Sequence, residues 1–118
     1  NEIAMTTPMY IIRKFIWQAY GIARAAAPHW MFVVDSSFRG PAVGQDGFMR
    51  GCPNKALDLH RYHPWAPWGP IESYYGTSCG WADEFASIEA STGFTVIAGE
   101  WSLATDTCAM WLLGFNDL

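Results

Sequence analysis

The sequence predicts an α/β chain whose parallel strands form part of an eight-stranded (β/α)8 TIM barrel, with residues 1–118 as one incomplete barrel domain. Three observations lead there. Short apolar runs alternate with amphipathic helical segments, the pattern of right-handed crossovers and a parallel sheet. Each apolar run ends in polar or charged residues, as barrel strands do where they meet an active site. A complete barrel takes about 250 residues, roughly 31 per strand-helix unit, so 118 residues hold about three and a half units. The chain then reads as a middle-to-late slice, strands roughly five to seven with flanking helices.

The elements follow in order. Thr7 is read as an N-cap and Pro8 as the first helical residue. Ile12, Phe15, Ile16, Ala19 and Ala23 recur at helical spacing, with Arg13, Lys14 and Arg24 turned elsewhere. Pro28 stops the helix near Ala27. A first strand spans His29 to Val34 and closes on Asp35-Ser36-Ser37-Phe38. The glycine-rich connection from Arg39 to Asn54 predicts irregular structure with at most a short helix. Lys55 to Leu59 is the second strand, ending in His60-Arg61-Tyr62. A long loop is expected from His63 to Gly80, rich in Pro and aromatic residues. Such loops are commonly functional, and the aromatic content argues against disorder. Trp81 to Ala90 reads as a helix with Trp81, Phe85 and Ile88 inward, stopped by Gly93. Phe94 to Gly99 is an apolar run expected to be a strand buried on both faces; Glu100 stands at its carboxyl end. Thr105 caps a last helix through Leu113, with Gly114 as terminator.

Composition excludes several classes. A net charge of -4 and a pI of about 5.1 give no electrostatic footprint for nucleic acid. No apolar run reaches membrane-span length, and the segment from Asn1 to Thr7 has neither the basic flank nor the apolar core of a signal peptide. With Asn rather than Met at position 1, the chain is expected to be a processed or excised piece of a longer one. Seven Trp in 118 residues point either to a large core or to a surface that stacks on flat ligands. Cys52, Cys79 and Cys108 are too widely spaced for a zinc site.

Side by side, the strand ends and the first two residues bring Asn1, Glu2, His60, Tyr62 and Glu100 toward one pocket. Two carboxylates are what glycosidic bond cleavage requires: one protonates the leaving oxygen, the other attacks or stabilises the anomeric carbon. Here the sequence resembles the fungal-type exo-β-1,3-glucanases of glycoside hydrolase family 5. The matching residues are Asn1-Glu2, Val34-Asp35-Ser36-Ser37-Phe38, His60-Arg61-Tyr62, Gly99-Glu100-Trp101-Ser102 and Thr105-Asp106-Thr107-Cys108-Ala109-Met110-Trp111-Leu112. Gly-Glu-Trp-Ser followed by the Asp-x-Cys-Ala-x-x-Leu segment is the most specific part. The chain departs from the family pattern at Ile3, where Pro is usual, and at Asp35-Ser36-Ser37-Phe38, usually closer to His-Asp-Ala-Phe.

The resemblance implies roles. Glu100 is similar to the nucleophile and Glu2 to the general acid/base, with Asn1 contacting the sugar 2-hydroxyl. His60 lines the catalytic centre, and Tyr62 hydrogen-bonds the nucleophile. Trp65 falls where an aromatic stacks on the sugar beyond the cleavage point; between prolines it also reads as loop packing. Trp68, Tyr74 and Tyr75 read as loop packing. Trp101, by side-chain alternation, belongs behind the sheet in the core, and Arg61 reads as structural. Neither Ser36 nor Ser37 has a nucleophile-elbow pattern around it. Cys79 and Cys108 align with half-cystines of secreted relatives; the competing reading is three buried thiols. The family is retaining and needs no cofactor or metal. The implied partner is a β-glucan oligosaccharide or polysaccharide and the implied location extracellular or cell wall. Two functions follow. One is a retaining β-1,3-glucan hydrolase releasing glucose, of which this slice alone is expected to turn nothing over. The other is a non-catalytic glucan-binding remnant.

Overall fold

The computed structural model describes residues 3–63, 69–102 and 104. Helix α1 (Met9–Ala26) leads to strand β1 (Phe32–Asp35), a short 3-10 helix (Gly40–Gly44), strand β2 (Lys55–Tyr62), helix α2 (Ile71–Thr92) and strand β3 (Thr95–Ser102). The three strands form one parallel sheet in the order β1-β2-β3. The chain is thus mixed α/β with a small parallel sheet, as the alternation predicts. No described helix is long and apolar enough to cross a membrane.

One apolar cluster holds these elements together. Ile12, Ile16 and Tyr20 of α1 meet Val34, Leu57 and Leu59 of the sheet, with Val43, Ile88 and Phe94 closing the cluster. Leu57 and Leu59 are completely buried. Strand alternation sends Asp58, His60 and Tyr62 to the opposite face. The sheet therefore has one face covered by helices and one face carrying polar side chains.

Several expected boundaries shift. Pro8 itself occupies the N-cap of α1 and no side chain caps that end; the Thr7 amide instead donates to Ala4 O at 2.9 Å. Phe15 is exposed rather than inward, because Ile12 and Ile16 define the buried stripe. Arg13 binds the connection, donating to the carbonyls of Val43, Ala42 and Gln45 at 2.9–3.2 Å, where the 3-10 helix ends. The expected loop from His63 to Gly80 is largely helix, since α2 begins at Ile71. Gly93 terminates α2 in the left-handed conformation at φ 72°, as a C-cap glycine does.

Strands β2 and β3 run on through their polar ends, because ladder pairing joins His60 to Glu100 and Tyr62 to Ser102. The two-sided burial expected for β3 is not found. β3 is an edge among the described strands: Val96 packs on the core, while Ile97 and Trp101 are exposed. Trp101 does lie on the helix-covered side, where it lines a recess of about 370 Å³ with Arg61, His63, Trp81 and Phe85. It is 62% exposed there rather than core. Arg61 is structural, pairing with Glu84 at 2.6 Å and lying over the Phe85 ring.

Tyr20 ties α1 to the connection. Its hydroxyl donates to Pro53 O at 2.9 Å and its ring meets Phe32 edge-on. Burial, reinforced by the neighbouring Cys52, raises the phenol above its ordinary 10.0. As pH climbs past 10.0 the unfolded chain loses this proton first and binds fewer protons than the folded one. Stability must then fall with rising pH until the folded phenol also ionises. Tyr20→Phe is expected to cost about 1 kcal/mol at neutral pH. That deficit should shrink above pH 10, a trend that urea unfolding of the two proteins at pH 7 and pH 10.5 reads directly. A deficit independent of pH would show that burial does not perturb this phenol.

Candidate active site

The carboxyl ends of the strands build one polar cluster. β2 contributes Asp58, His60 and Tyr62 at every second residue, so all three stand on one face. β3 contributes Glu100, paired in register with His60. The register carries a β-bulge. Ile97 pairs with Asp58, but Glu100 pairs with His60, so Ala98 and Gly99 together face Leu59. The extra residue brings Glu100 onto the same face as His60; strict alternation from Ile97 would have turned it the other way.

The contacts are specific. The Tyr62 hydroxyl donates a short hydrogen bond to Glu100 Oε1. The second oxygen, Glu100 Oε2, lies 3.9 Å from His60 Nδ1. The other ring nitrogen, Nε2, lies 3.4 Å from Asp58 Oδ2. His60 is thus flanked by two carboxylates, one at each nitrogen. Its side chain is 8% exposed, whereas that of Glu100 is 58% exposed and open to a ligand. Phe38 closes one side of the imidazole, edge-on with ring centroids 5.5 Å apart.

The β1 end explains how Phe38 arrives there. Ser37 and Phe38 both have φ of 55°, a left-handed pair that non-glycine residues adopt only when held. Asp35 holds them: its Oδ1 accepts the Ser37 amide at 2.9 Å. Its Oδ2 accepts the Ile3 amide at 2.5 Å, and the Ser37 hydroxyl donates to Ile3 O at 2.8 Å. Both backbone groups of Ile3 are therefore clamped at the carboxyl end of β1. Arg39 fastens the following turn through the carbonyls of Ala4, Met5 and Thr7. Ser36 and Ser37 are buried in this structural role.

Of the residues singled out from the sequence, the structure brings His60, Tyr62 and Glu100 together. Asn1, Glu2, Trp65, Trp68 and Cys108 lie outside the described residues, as does the helix expected from Thr105 to Leu113. Tyr74 belongs to α2 and packs edge-on against His63, whereas Tyr75 is exposed. His63 is buried behind the sheet, bonded to Ser78 Oγ at 3.0 Å and lying on Trp81. Cys52 is half-buried and Cys79 exposed, both free thiols, so burial does not describe Cys79. Sequence reading passed over Asp58, and it placed Phe38 at the end of the first strand without giving it a role. For Asp58 a signal was present: an acid two residues before His60 on one strand must share its face.

Chemically, the cluster presents an exposed carboxylate oriented by a phenol, beside a histidine held between acids. It can serve an anionic nucleophile or stabilise a developing positive charge. No protein-family model matches the chain, and no match was found among the curated proteins or the solved structures.

Proposed function

We propose that the chain forms the later part of a retaining glycoside hydrolase barrel acting on β-1,3-glucan. The observation that carries this reading is the Tyr62 hydrogen bond to Glu100 at the carboxyl ends of two adjacent parallel strands. That arrangement is the one the resemblance to family 5 exo-β-1,3-glucanases calls for.

In this reading a Glu100 oxygen attacks the anomeric carbon while Glu2 gives its proton to the departing glycosidic oxygen. The carbon–oxygen bond to the leaving sugar breaks and an ester to Glu100 forms. Glu2, now a carboxylate, takes a proton from water; the water oxygen attacks the same carbon and frees glucose with retained configuration. The Tyr62 bond holds Oε1, which directs attack to Oε2 and spreads the carboxylate charge as it leaves. Asn1 and Trp65 bind the sugars on either side, and the enzyme works outside the cell or in its wall.

A second reading, a glucan-binding remnant without turnover, draws on the three-stranded sheet and the openness of β3. The two separate in one experiment on the protein expressed from the complete reading frame. Incubation with a 2-fluoro-glucosyl substrate that forms the intermediate quickly and loses it slowly should add one sugar to the peptide containing Glu100. Mass spectrometry locates it. Glucan binding with no hydrolysis and no labelled peptide would replace the enzyme by the binding remnant.

A further inference from the structure

We propose that Asp58 is a positioning residue for both His60 and Glu100. This role rests on the glycosidase reading as far as turnover is concerned; the geometry behind it stands apart from that reading. Asp58 projects from β2 on the face of His60 and Tyr62 and divides its two oxygens between two tasks. Oδ1 accepts the Gly99 amide at 2.7 Å. This amide belongs to the bulge, where the register between β2 and β3 shifts; a bulge's extra residue is left without a regular ladder partner. Asp58 thus supplies the acceptor that the bulge removes. Oδ2 faces His60 Nε2 at 3.4 Å.

Two consequences follow. The bulge sets the side on which Glu100 emerges, so the carboxylate that holds Gly99 also holds the backbone from which the proposed nucleophile projects. The same carboxylate favours a proton on His60 Nε2, which fixes the ring with Nδ1 toward Glu100. Gly99 is fitted to this neighbour. A Cβ at position 99 would stand 2.6 Å from Asp58 Cγ, inside any real contact distance.

The test uses the protein from the complete reading frame, labelled with ¹⁵N in histidine and glycine. In the native protein at a pH where the ring is neutral, His60 should carry its proton on Nε2, and the Gly99 amide should resist hydrogen exchange. Asp58→Asn keeps the size of the side chain but leaves one oxygen for two tasks. With that oxygen on Gly99, the new NH₂ faces Nε2, and the His60 proton should move to Nδ1. On an aryl β-glucoside, kcat should fall by about 100-fold with little change in KM, the signature of misplaced reacting groups rather than lost binding.

An unchanged tautomer together with an unchanged kcat in Asp58→Asn would overturn the proposal while leaving the glycosidase reading intact. Tautomer reversal in a protein that hydrolyses no β-glucoside would remove the glycosidase reading and uphold the positioning of His60. If the variant does not fold, the native measurements still decide. A freely exchanging Gly99 amide with the His60 proton on Nδ1 would overturn the role of Asp58 without any substitution.

Discussion

Glu100→Gln is expected to abolish hydrolysis by the proposed glycosidase, by on the order of 10⁴-fold or more. A neutral amide cannot form the glycosyl ester, and it also disturbs Tyr62, whose hydroxyl donates to Oε1 in the native arrangement. Glu2→Gln should behave differently, because it removes the proton donor and leaves the nucleophile. Substrates with an acidic phenol as leaving group need little protonation, so they should still glycosylate Glu100. The second step then lacks a base for water, and the intermediate should accumulate as a burst of released phenol. Azide needs no base. It should restore turnover in Glu2→Gln and give a β-glucosyl azide, retained in configuration. Glu100→Ala, which vacates the space of the carboxylate, should be rescued by azide with an inverted product. The reverse pattern, inversion with Glu2→Gln and retention with Glu100→Ala, would exchange the two roles.

The parts of this arrangement that sequence reading reached are those governed by alternation and local conformation. His60 and Tyr62 two apart on a strand must share a face, and Gly93 after a helical run must end it. The parts it missed depend on tertiary partners. Residues 71 to 80 read as loop because they follow Pro64, Pro67 and Pro70 in a stretch rich in aromatic residues, and Gly76 and Gly80 each disfavour a helix by about 1 kcal/mol relative to Ala. They lie in α2 nonetheless, where a Cβ at either would touch nothing outside the helix. The cost is offset by what α2 gains elsewhere: Ile88 in the core, Trp81 against His63, and Glu84 on Arg61. The apolar run Phe94 to Ala98 has the composition of a doubly covered strand, yet composition does not say which neighbours are present. In this structure Phe94 is buried and the strand after it is an edge among the described strands. The bulge at Ala98-Gly99 is likewise invisible locally, since small residues there fit an ordinary strand end as well. Only the pairing of Asp58 with Ile97 and His60 with Glu100 reveals it.

Gly99→Ala is expected to be the most damaging single methyl group in the described chain, costing about 3 kcal/mol of stability and most of the activity. The reason is the Asp58 carboxylate. The added Cβ would fall 2.6 Å from Asp58 Cγ, and Asp58 cannot yield freely because one oxygen is bonded to the Gly99 amide and the other faces His60. Either the carboxylate swings away and leaves that amide without its acceptor, or β3 shifts and carries Glu100 with it. The two causes of loss can be separated by a double-mutant cycle with Asp58→Ala. Shortening residue 58 removes the clash, so Gly99→Ala should cost far less stability in the Asp58→Ala background than in the native one. Activity should not return with stability, because the anchor of the bulge and the partner of His60 are both gone. Thermal unfolding and aryl β-glucoside kinetics of the four proteins measure both quantities. Equal stability costs of Gly99→Ala in the two backgrounds would mean that the close approach of Asp58 is not what requires glycine there. Activity restored along with stability would show that the bulge needs only room and not its carboxylate.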